Sequence, residues 1–182
     1  PVELNSFGAK SLAGRVLLTW STMSESENLG FHIYRADAVN SPKTRINQSL
    51  IKGAINSETR HDYSFEDLVT TAGVQVYYWL VDVATDGTVE YHGPVQATTK
   101  AAPEDYGVKQ NFPNPFNPIT TISFQIKDQG QVAVRIYDIT GRQIRELVNE
   151  NRSAGEYQVV WDGRDASGFQ VASGVYFFSV QC

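Results

Sequence analysis

The segment Asp162-Gly-Arg-Asp165-Ala-Ser-Gly168 holds the residues of this chain that are best suited to chemistry. It supplies two carboxylates and a hydroxyl in a loop punctuated by glycine, and such hard oxygen ligands suit Ca²⁺. The spacing is not that of an EF-hand, and Asp and Ser side chains also form turns that hold no ion. We therefore expect a structural turn, with Asp162 and Asp165 as the candidate ligands if calcium is bound.

The remaining polar residues show no pattern that is typical of an enzyme active site. Nucleophilic catalysis needs a nucleophile, a base and a residue that orients the base, and the chain lacks a Gly-x-Ser-x-Gly motif. His32, His61 and His92 fall in different predicted strands or loops. Asp62 follows His61, but neighbours along a strand point to opposite faces. We therefore expect no catalytic residues.

Two further groups of residues, a pair of glutamates and three tyrosines, could in principle act on or bind sugars. A catalytic carboxylate pair for glycoside hydrolysis needs a cleft, whereas Glu25 and Glu27 lie in a short polar segment that we interpret as a solvated turn. Sugar binding would use exposed aromatic rings, and Tyr34, Tyr78 and Tyr91 fall on outward-facing positions of their predicted strands. Ordinary cross-strand pairing explains such aromatic residues equally well.

Composition narrows the class of protein. The 182 residues are 41% hydrophobic and 12% aromatic, enough for packed cores. The formal net charge of −5 argues against a nucleic-acid partner, because phosphate binding needs a basic surface. No apolar run approaches the roughly 20 residues that span a bilayer. Cys182 is the sole cysteine, so the sequence can form neither an internal disulfide nor a cysteine-based metal site.

Apolar residues recur with a period of two along most of the chain, which predicts strands. Asp86-Gly87 predicts a hairpin turn after the apolar strand 74–84. Helical periodicity appears only at 139–149, where Gly141 weakens it. One predicted inward face in the first half comprises Val16, Leu18 and Trp20, and a second comprises Phe31, Ile33 and Arg35. In strand 74–84 we expect the inward face to be Tyr77, Trp79, Val81 and Val83, and the outward face to be Tyr78, Leu80 and Asp82.

This pattern predicts an all-β fold of two tandem β-sandwiches. The first sandwich spans residues 1–100 and the second spans 111–182, joined by a small, acidic, proline-containing linker at 101–110. The residues predicted to face the second core are Ile122, Phe124, Ile126, Val132, Val134, Ile136, Tyr157, Val159, Trp161, Tyr176, Phe178 and Val180.

Motifs in both halves resemble known families. In the first half, Trp20, the Asn28-Leu-Gly-Phe31 turn and the Val76-Tyr-Tyr-Trp-Leu80 strand resemble a fibronectin type III domain. In the second half, the entry Asn111-Phe-Pro-Asn-Pro-Phe-Asn-Pro118, together with Trp161-Asp-Gly and Gly174-Val-Tyr-Phe-Phe178, resembles the C-terminal sorting domain of bacterial type IX (Por) secretion. That domain is similar to the Ig-like domain of flagellar hook-cap proteins.

The resemblance implies a function without catalysis, at the bacterial cell surface or outside the cell. It implies that the secretion machinery recognises the second module, and that the first is a spacer behind an upstream passenger domain. It implies no cofactor. The residues expected to maintain the second module are Trp161, Asp162, Gly163, Tyr176 and Phe178, and those expected to fix its entry are Asn114, Pro115, Asn117 and Pro118.

The sequence leaves two alternative functions open. Members of the sorting family usually continue into a further strand, so residues 176–181 are predicted to form an open edge. We expect the chain to be a mature product or a truncated fragment, in which case the further strand is simply missing. In the first alternative, a strand from a second copy, such as Pro1 to Ala9, completes the sheet in a filament or sheath. The other alternative is a carbohydrate-binding adhesin.

Overall fold

A computed structural model describes residues 2–68 and 71–182, and its regular elements are strands. The chain divides into two compact units, Pro1–Ala101 and Ala102–Cys182, and the predicted all-β fold is confirmed. Within the described ranges, no helix is long and apolar enough to cross a membrane. The strands of the first unit are β1 (Val2–Leu12), β2 (Arg15–Ala36), β3 (Thr44–Arg45), β4 (Ile51–Ser57), β5 (His61–Leu68), β6 (Gln75–Ala84) and β7 (Val89–Thr98). Those of the second are β8 (Gly107–Val108), β9 (Thr120–Ile126), β10 (Gly130–Asp138), β11 (Gln143–Arg152), β12 (Gly155–Trp161) and β13 (Tyr176–Gln181).

The first unit is organised by β2, which is 22 residues long. A straight strand of that length would extend about 70 Å, more than twice the diameter of a domain of this size. The strand bends where its pairing register shifts between Glu25 and Gly30. Gly30 has φ of +150°, and a Cβ there would lie 2.1 Å from the Ile51 carbonyl oxygen, so the bend requires glycine.

The bend divides the strands into two layers. The first part of β2 pairs with β1 and β5, and the last part pairs with β3, β4 and β6; β7 extends the second layer. Trp20 from the first part and Phe31 from the last part meet with ring centroids 5.5 Å apart. Five of the six predicted inward residues are confirmed: Val16, Leu18, Trp20, Phe31 and Ile33 are all buried in one core. The sixth, Arg35, is half-buried and lies outside that core.

The prediction for β6 has the wrong inward face. Tyr78 and Leu80 are fully buried in the core and Asp82 is also buried, although all three are predicted to face outward. Trp79 lies on the other face, where the Lys43 ammonium is 4.6 Å from its ring centroid. Because β6 lies between β2 and β7 and is apolar on both sides, alternation cannot identify the core face.

The second unit consists of two three-stranded sheets, with orders β11-β10-β13 and β12-β9-β8. Their facing side chains form one core, which confirms all the predicted inward positions of this unit. Gly107–Val108 pairs with β9, and the Lys109 amide donates to the Ser123 carbonyl at 2.9 Å. This part of the predicted linker 101–110 is therefore sheet, because its backbone groups complete the edge of β9.

The helical periodicity at 139–149 is misleading, since most of this segment is β11. A turn at Asp138–Arg142 joins β10 to β11. The Asp138 carboxylate accepts hydrogen bonds from the Thr140 hydroxyl at 2.6 Å and from the Arg142 side chain at 3.0 Å. These contacts, led by the one from Thr140, lower the pKa of Asp138 to about 2. Arg145 and Glu146 then continue as strand residues that pair with β10.

Candidate functional site

The entry segment at 111–118 is attached to the second core by Phe116. Its ring centroid lies 5.1 Å from that of Trp161, whereas Asn114, Pro115, Asn117 and Pro118 are exposed. Asn111 donates to the Thr120 hydroxyl at 2.9 Å, and that hydroxyl donates to the Pro113 carbonyl at 2.9 Å. Sequence reasoning missed Phe116 as the anchor; the signal was available, because it is the one large apolar side chain between the Asn-Pro pairs.

Trp161 is the centre of this site and is 2% exposed. Its indole N–H donates to the Arg164 carbonyl at 2.9 Å. The Tyr176 ring meets it edge-on, with centroids 5.2 Å apart, and the Tyr176 hydroxyl donates to the Ala172 carbonyl at 2.7 Å. Phe178 packs against the same core. The structure thus brings Trp161, Tyr176 and Phe178 together in one core.

Gly163 fits the turn after Trp161 closely against the entry segment. Its φ is +69°, and an added Cβ would lie 2.9 Å from the Pro118 carbonyl oxygen and 2.7 Å from Gln170 Nε2. The Val171 amide donates to the Gly163 carbonyl at 2.9 Å. The turn, the entry segment and the strand that begins at Tyr176 are therefore fixed to one another around a single indole.

The two candidate calcium ligands already have protein partners. Asp162 accepts from Arg145 at 3.0 Å and from the Arg164 amide at 3.2 Å. Asp165 accepts from the amides of Ser167 and Phe169, both at 2.9 Å. Asp162 thus forms an ion pair and Asp165 forms a turn, and the calcium hypothesis stays a prediction without support from this geometry.

β13 is an edge strand of its sheet. It pairs with β10 on one side, and no other described strand pairs with it. Phe177 lies opposite Tyr137 in this ladder and is 58% exposed. Ile139 and Val175, which are also exposed, follow the last pair of the ladder. The edge is therefore accompanied by exposed apolar side chains.

Glu25 is buried, and its interpretation as part of a solvated turn is wrong. Its carboxylate accepts hydrogen bonds from the Tyr63 hydroxyl at 2.5 Å, Asn28 Nδ2 at 2.7 Å, the Ala54 amide at 2.8 Å and the Thr22 hydroxyl at 2.9 Å. Burial raises the pKa of Glu25, but these four donors together hold it below its usual value. The carboxylate therefore fastens the bend of β2 to β4 and β5.

The tyrosines proposed for sugar binding do not form one exposed platform. Tyr78 is fully buried and its hydroxyl donates to Asp67 at 2.8 Å, which corrects its predicted outward position. Asp67 also accepts two hydrogen bonds from Arg35, at 2.8 and 3.0 Å, so this group links the two layers. Tyr34 and Tyr91 do meet on the outer face, with ring centroids 5.8 Å apart.

The histidines lie apart, on β2, β5 and β7. His61 Nε2 is 2.8 Å from the Ser57 hydroxyl. Asp62 does not orient this imidazole, because its carboxylate forms an ion pair with Arg60 at 2.7 Å. His92 Nε2 lies 2.7 Å from a carboxylate oxygen of Asp82. Sequence reasoning missed this last contact because Asp82 is predicted to face away from the core.

The fold and this arrangement define an all-β protein whose second unit is a sandwich of two three-stranded sheets. A family model described as the FlgD Ig-like domain matches residues 117–182, within the second unit. No curated protein matches the chain.

Two solved structures show how this chain is similar to known proteins. Dimeric latent PorU from Porphyromonas gingivalis has a TM-score of 0.42 and 15% identity; the similarity covers 98% of this chain and 18% of that chain. The FN1–FN3 domains of chicken CNTN1 have a TM-score of 0.40 and 12% identity, with coverages of 99% and 62%. The present chain thus spans less than two thirds of either.

Proposed function

We propose that this chain is a non-enzymatic part of a bacterial surface protein, in which the second unit is a secretion and attachment signal. The supporting observation is the junction around Trp161. It fixes an exposed Asn-Pro-rich segment and the start of an edge strand on one Ig-like domain. A folded signal needs such a rigid, exposed surface, because a partner then binds without ordering it first. The first unit acts as a spacer behind an upstream passenger domain.

The proposal predicts export of a reporter protein. A periplasm-targeted fluorescent protein followed by the full chain would be produced in a bacterium with a type IX machinery, and cell-surface and periplasmic amounts would be measured. We expect surface delivery of the fusion and periplasmic retention of the reporter alone. Equal retention of both proteins would contradict the proposal.

A second set of fusions separates recognition from folding. Asn114→Ala combined with Asn117→Ala changes exposed side chains of the entry segment, while Phe116 keeps its contact with Trp161. We expect a folded protein with reduced export. Val160→Ala is the matched control, because Val160 is also exposed in the second unit but lies outside the entry segment. Equal export of the double variant and the control would show that the entry segment is not recognised.

The filament alternative retains one favourable observation, the edge strand β13 with exposed Phe177. Its proposed donor does not fit, because residues 2–9 already pair with β2, and Pro1 lies outside the described residues. Light scattering over a wide concentration range tests it. A constant mass near 20.2 kDa would contradict self-assembly. A mass that rises with concentration and becomes constant in Phe177→Ser would support pairing through this edge.

A further inference from the structure

Three side chains with metal-binding atoms converge on the β6–β7 hairpin of the first unit. In the ladder, Asp82 lies opposite Glu90, and Leu80 lies opposite His92. Since residues opposite each other, or two apart on one strand, share a face of the sheet, all three side chains lie on the same face. Their potential ligand atoms lie within 4.8 Å of one another. The hairpin thus presents two carboxylates and an imidazole at one point.

The carboxylates of this cluster lack a lysine or arginine partner within the described residues. The Asp82 and His92 side chains are only 6% and 15% exposed. Asp82 is paired with His92, but no lysine or arginine of residues 2–68 and 71–182 forms an ion pair with Asp82 or Glu90. A buried carboxylate is costly unless it is paired with a charge or bound to a metal. Two ionised carboxylates outweigh a single imidazole in either of its protonation states, so the cluster is net negative and a cation would stabilise it.

The ligand types indicate which cation fits. Calcium and magnesium prefer sites made only of oxygen atoms, whereas an imidazole favours zinc and related transition metals. Carboxylate oxygens and an imidazole nitrogen are both ligands that zinc accepts, and three protein ligands leave the fourth tetrahedral position to water. Glu90 is exposed and lies on the solvent side, from which an ion can enter. We propose that Asp82, Glu90 and His92 form a binding site for Zn²⁺.

Binding requires a small rearrangement. Zinc ligands at about 2.0–2.1 Å in tetrahedral geometry have donor atoms roughly 3.3 Å apart. Asp82 Oδ1 and His92 Nε2 are 2.7 Å apart, so the zinc ion replaces their hydrogen bond and this contact opens slightly. Zinc would take the lone pair of Nε2, so the single proton of the neutral imidazole would then lie on Nδ1.

Calorimetric titration of the full chain with Zn²⁺, after treatment with a chelator, tests the proposal. We expect one zinc ion per chain, and at least tenfold weaker binding in both Glu90→Gln and His92→Gln. Calcium should give no heat of binding. His61→Gln and Cys182→Ser are the controls, because they remove another histidine of the same unit and the sole thiol; both should bind as the wild type does. Bound Co²⁺ should show the visible absorption of a tetrahedral site.

Three outcomes would overturn the proposal. They are the absence of stoichiometric binding, equal affinity of wild type and Glu90→Gln, and loss of binding in either control variant. Glu90→Gln is the decisive variant, because an exposed side chain can be changed without unfolding the hairpin. If zinc binds the wild type and Glu90→Gln with equal affinity, the three residues are not a metal site, and the contact between Asp82 and His92 is only a structural hydrogen bond.

Discussion

Each unit has one tryptophan in its hydrophobic core, but the two indoles are held in different ways. Trp20 lies between strands: it stacks on Tyr63 with ring centroids 5.5 Å apart, and its N–H finds no hydrogen-bond partner among the described residues. Trp161 lies at the end of a strand and is held by Phe116 and the Arg164 carbonyl, which belong to irregular segments. A residue inside a ladder has neighbouring carbonyls already occupied, whereas a residue at a strand end meets free ones.

The difference shows how each unit is stabilised. In the first unit, the tryptophan and the buried carboxylate of Glu25 contact residues of the strands themselves. In the second unit, segments outside the strands pack over Trp161. We therefore expect mutations of interior strand residues to destabilise the first unit, and mutations in the loops around Trp161 to destabilise the second.

Trp20→Ala should have the largest effect. Truncation of a buried tryptophan costs about 3–5 kcal/mol, a large part of the total stability of a domain. Hydrogen exchange of the full chain, measured segment by segment, should show loss of protection in residues 2–68 and retained protection in β9 to β12. Equal loss in both units would mean that they do not fold separately.

Glu25→Ala should cost about 3 kcal/mol, because it leaves four donors without their acceptor in the interior. Glu27→Ala is the matched control, since Glu27 is exposed two residues away, and should change the stability by less than about 0.5 kcal/mol. Urea unfolding monitored at the tryptophans measures both. Similar values for the two variants would show that the carboxylate does not hold the bend.

Gly163→Ala and Gly87→Ala test the role of the turn in the second unit. Both glycines have positive φ, which costs a substituted residue about 1 kcal/mol. Only at Gly163 would the new methyl group meet the Pro118 carbonyl, at 2.9 Å, and Gly87 has open space. We expect Gly163→Ala to be the more destabilising by about 1–2 kcal/mol in thermal unfolding. Equal melting temperatures would indicate that the entry segment moves aside easily.

Replacement of each tryptophan by phenylalanine isolates the hydrogen bond. Trp161→Phe loses the contact with the Arg164 carbonyl, whereas Trp20→Phe removes an N–H that has no partner. Trp161→Phe should therefore be the more destabilising by about 1–2 kcal/mol. Chemical denaturation of the two variants provides the comparison. The opposite order would mean that ring packing, not the indole N–H, distinguishes the two sites.

The smallest effect that we expect is that of Glu25→Gln on the pH dependence of stability. The pKa of Glu25 is below its usual value of 4.5 in the folded unit. As the pH falls, Glu25 is therefore protonated in the unfolded chain before it is protonated in the folded unit. The stability that the ionised carboxylate contributes is present above pH 4.5 and is lost as the pH falls through the pKa of the folded state. Glu25→Gln should show a weaker loss of stability below pH 4.5 than the wild type in acid titrations followed by circular dichroism. Parallel curves would exclude Glu25 as the titrating group.

The sequence predicted which segments form strands better than it predicted which side chains are buried. Alternation placed Ile122 and Val134 correctly, because each sheet of the second unit is apolar on the face that meets the other. It failed for Tyr78, since β6 is apolar on both faces and a tyrosine hydroxyl can be buried when Asp67 accepts its hydrogen bond.

The site was predictable only where residue type determines the contact. Gly163 and Trp161 carry such signals, because positive φ favours glycine and a large aromatic side chain seeks the interior. Glu25 carries none. Its four donors come from β2, β4 and β5, and only the folded chain brings them to one carboxylate.

The ladder between β1 and β2 has a mechanical consequence. β1 runs from Val2, opposite Glu25, to Leu12, opposite Arg15, and Ala13 then forms a parallel bridge with Lys100. Residues 2 and 100 therefore lie at opposite ends of the first unit. A pulling force between them acts along β1, so the hydrogen bonds of the ladder resist it together, in shear, and do not open one after another. The resistance to tension comes from the backbone, whatever side chains the strand carries.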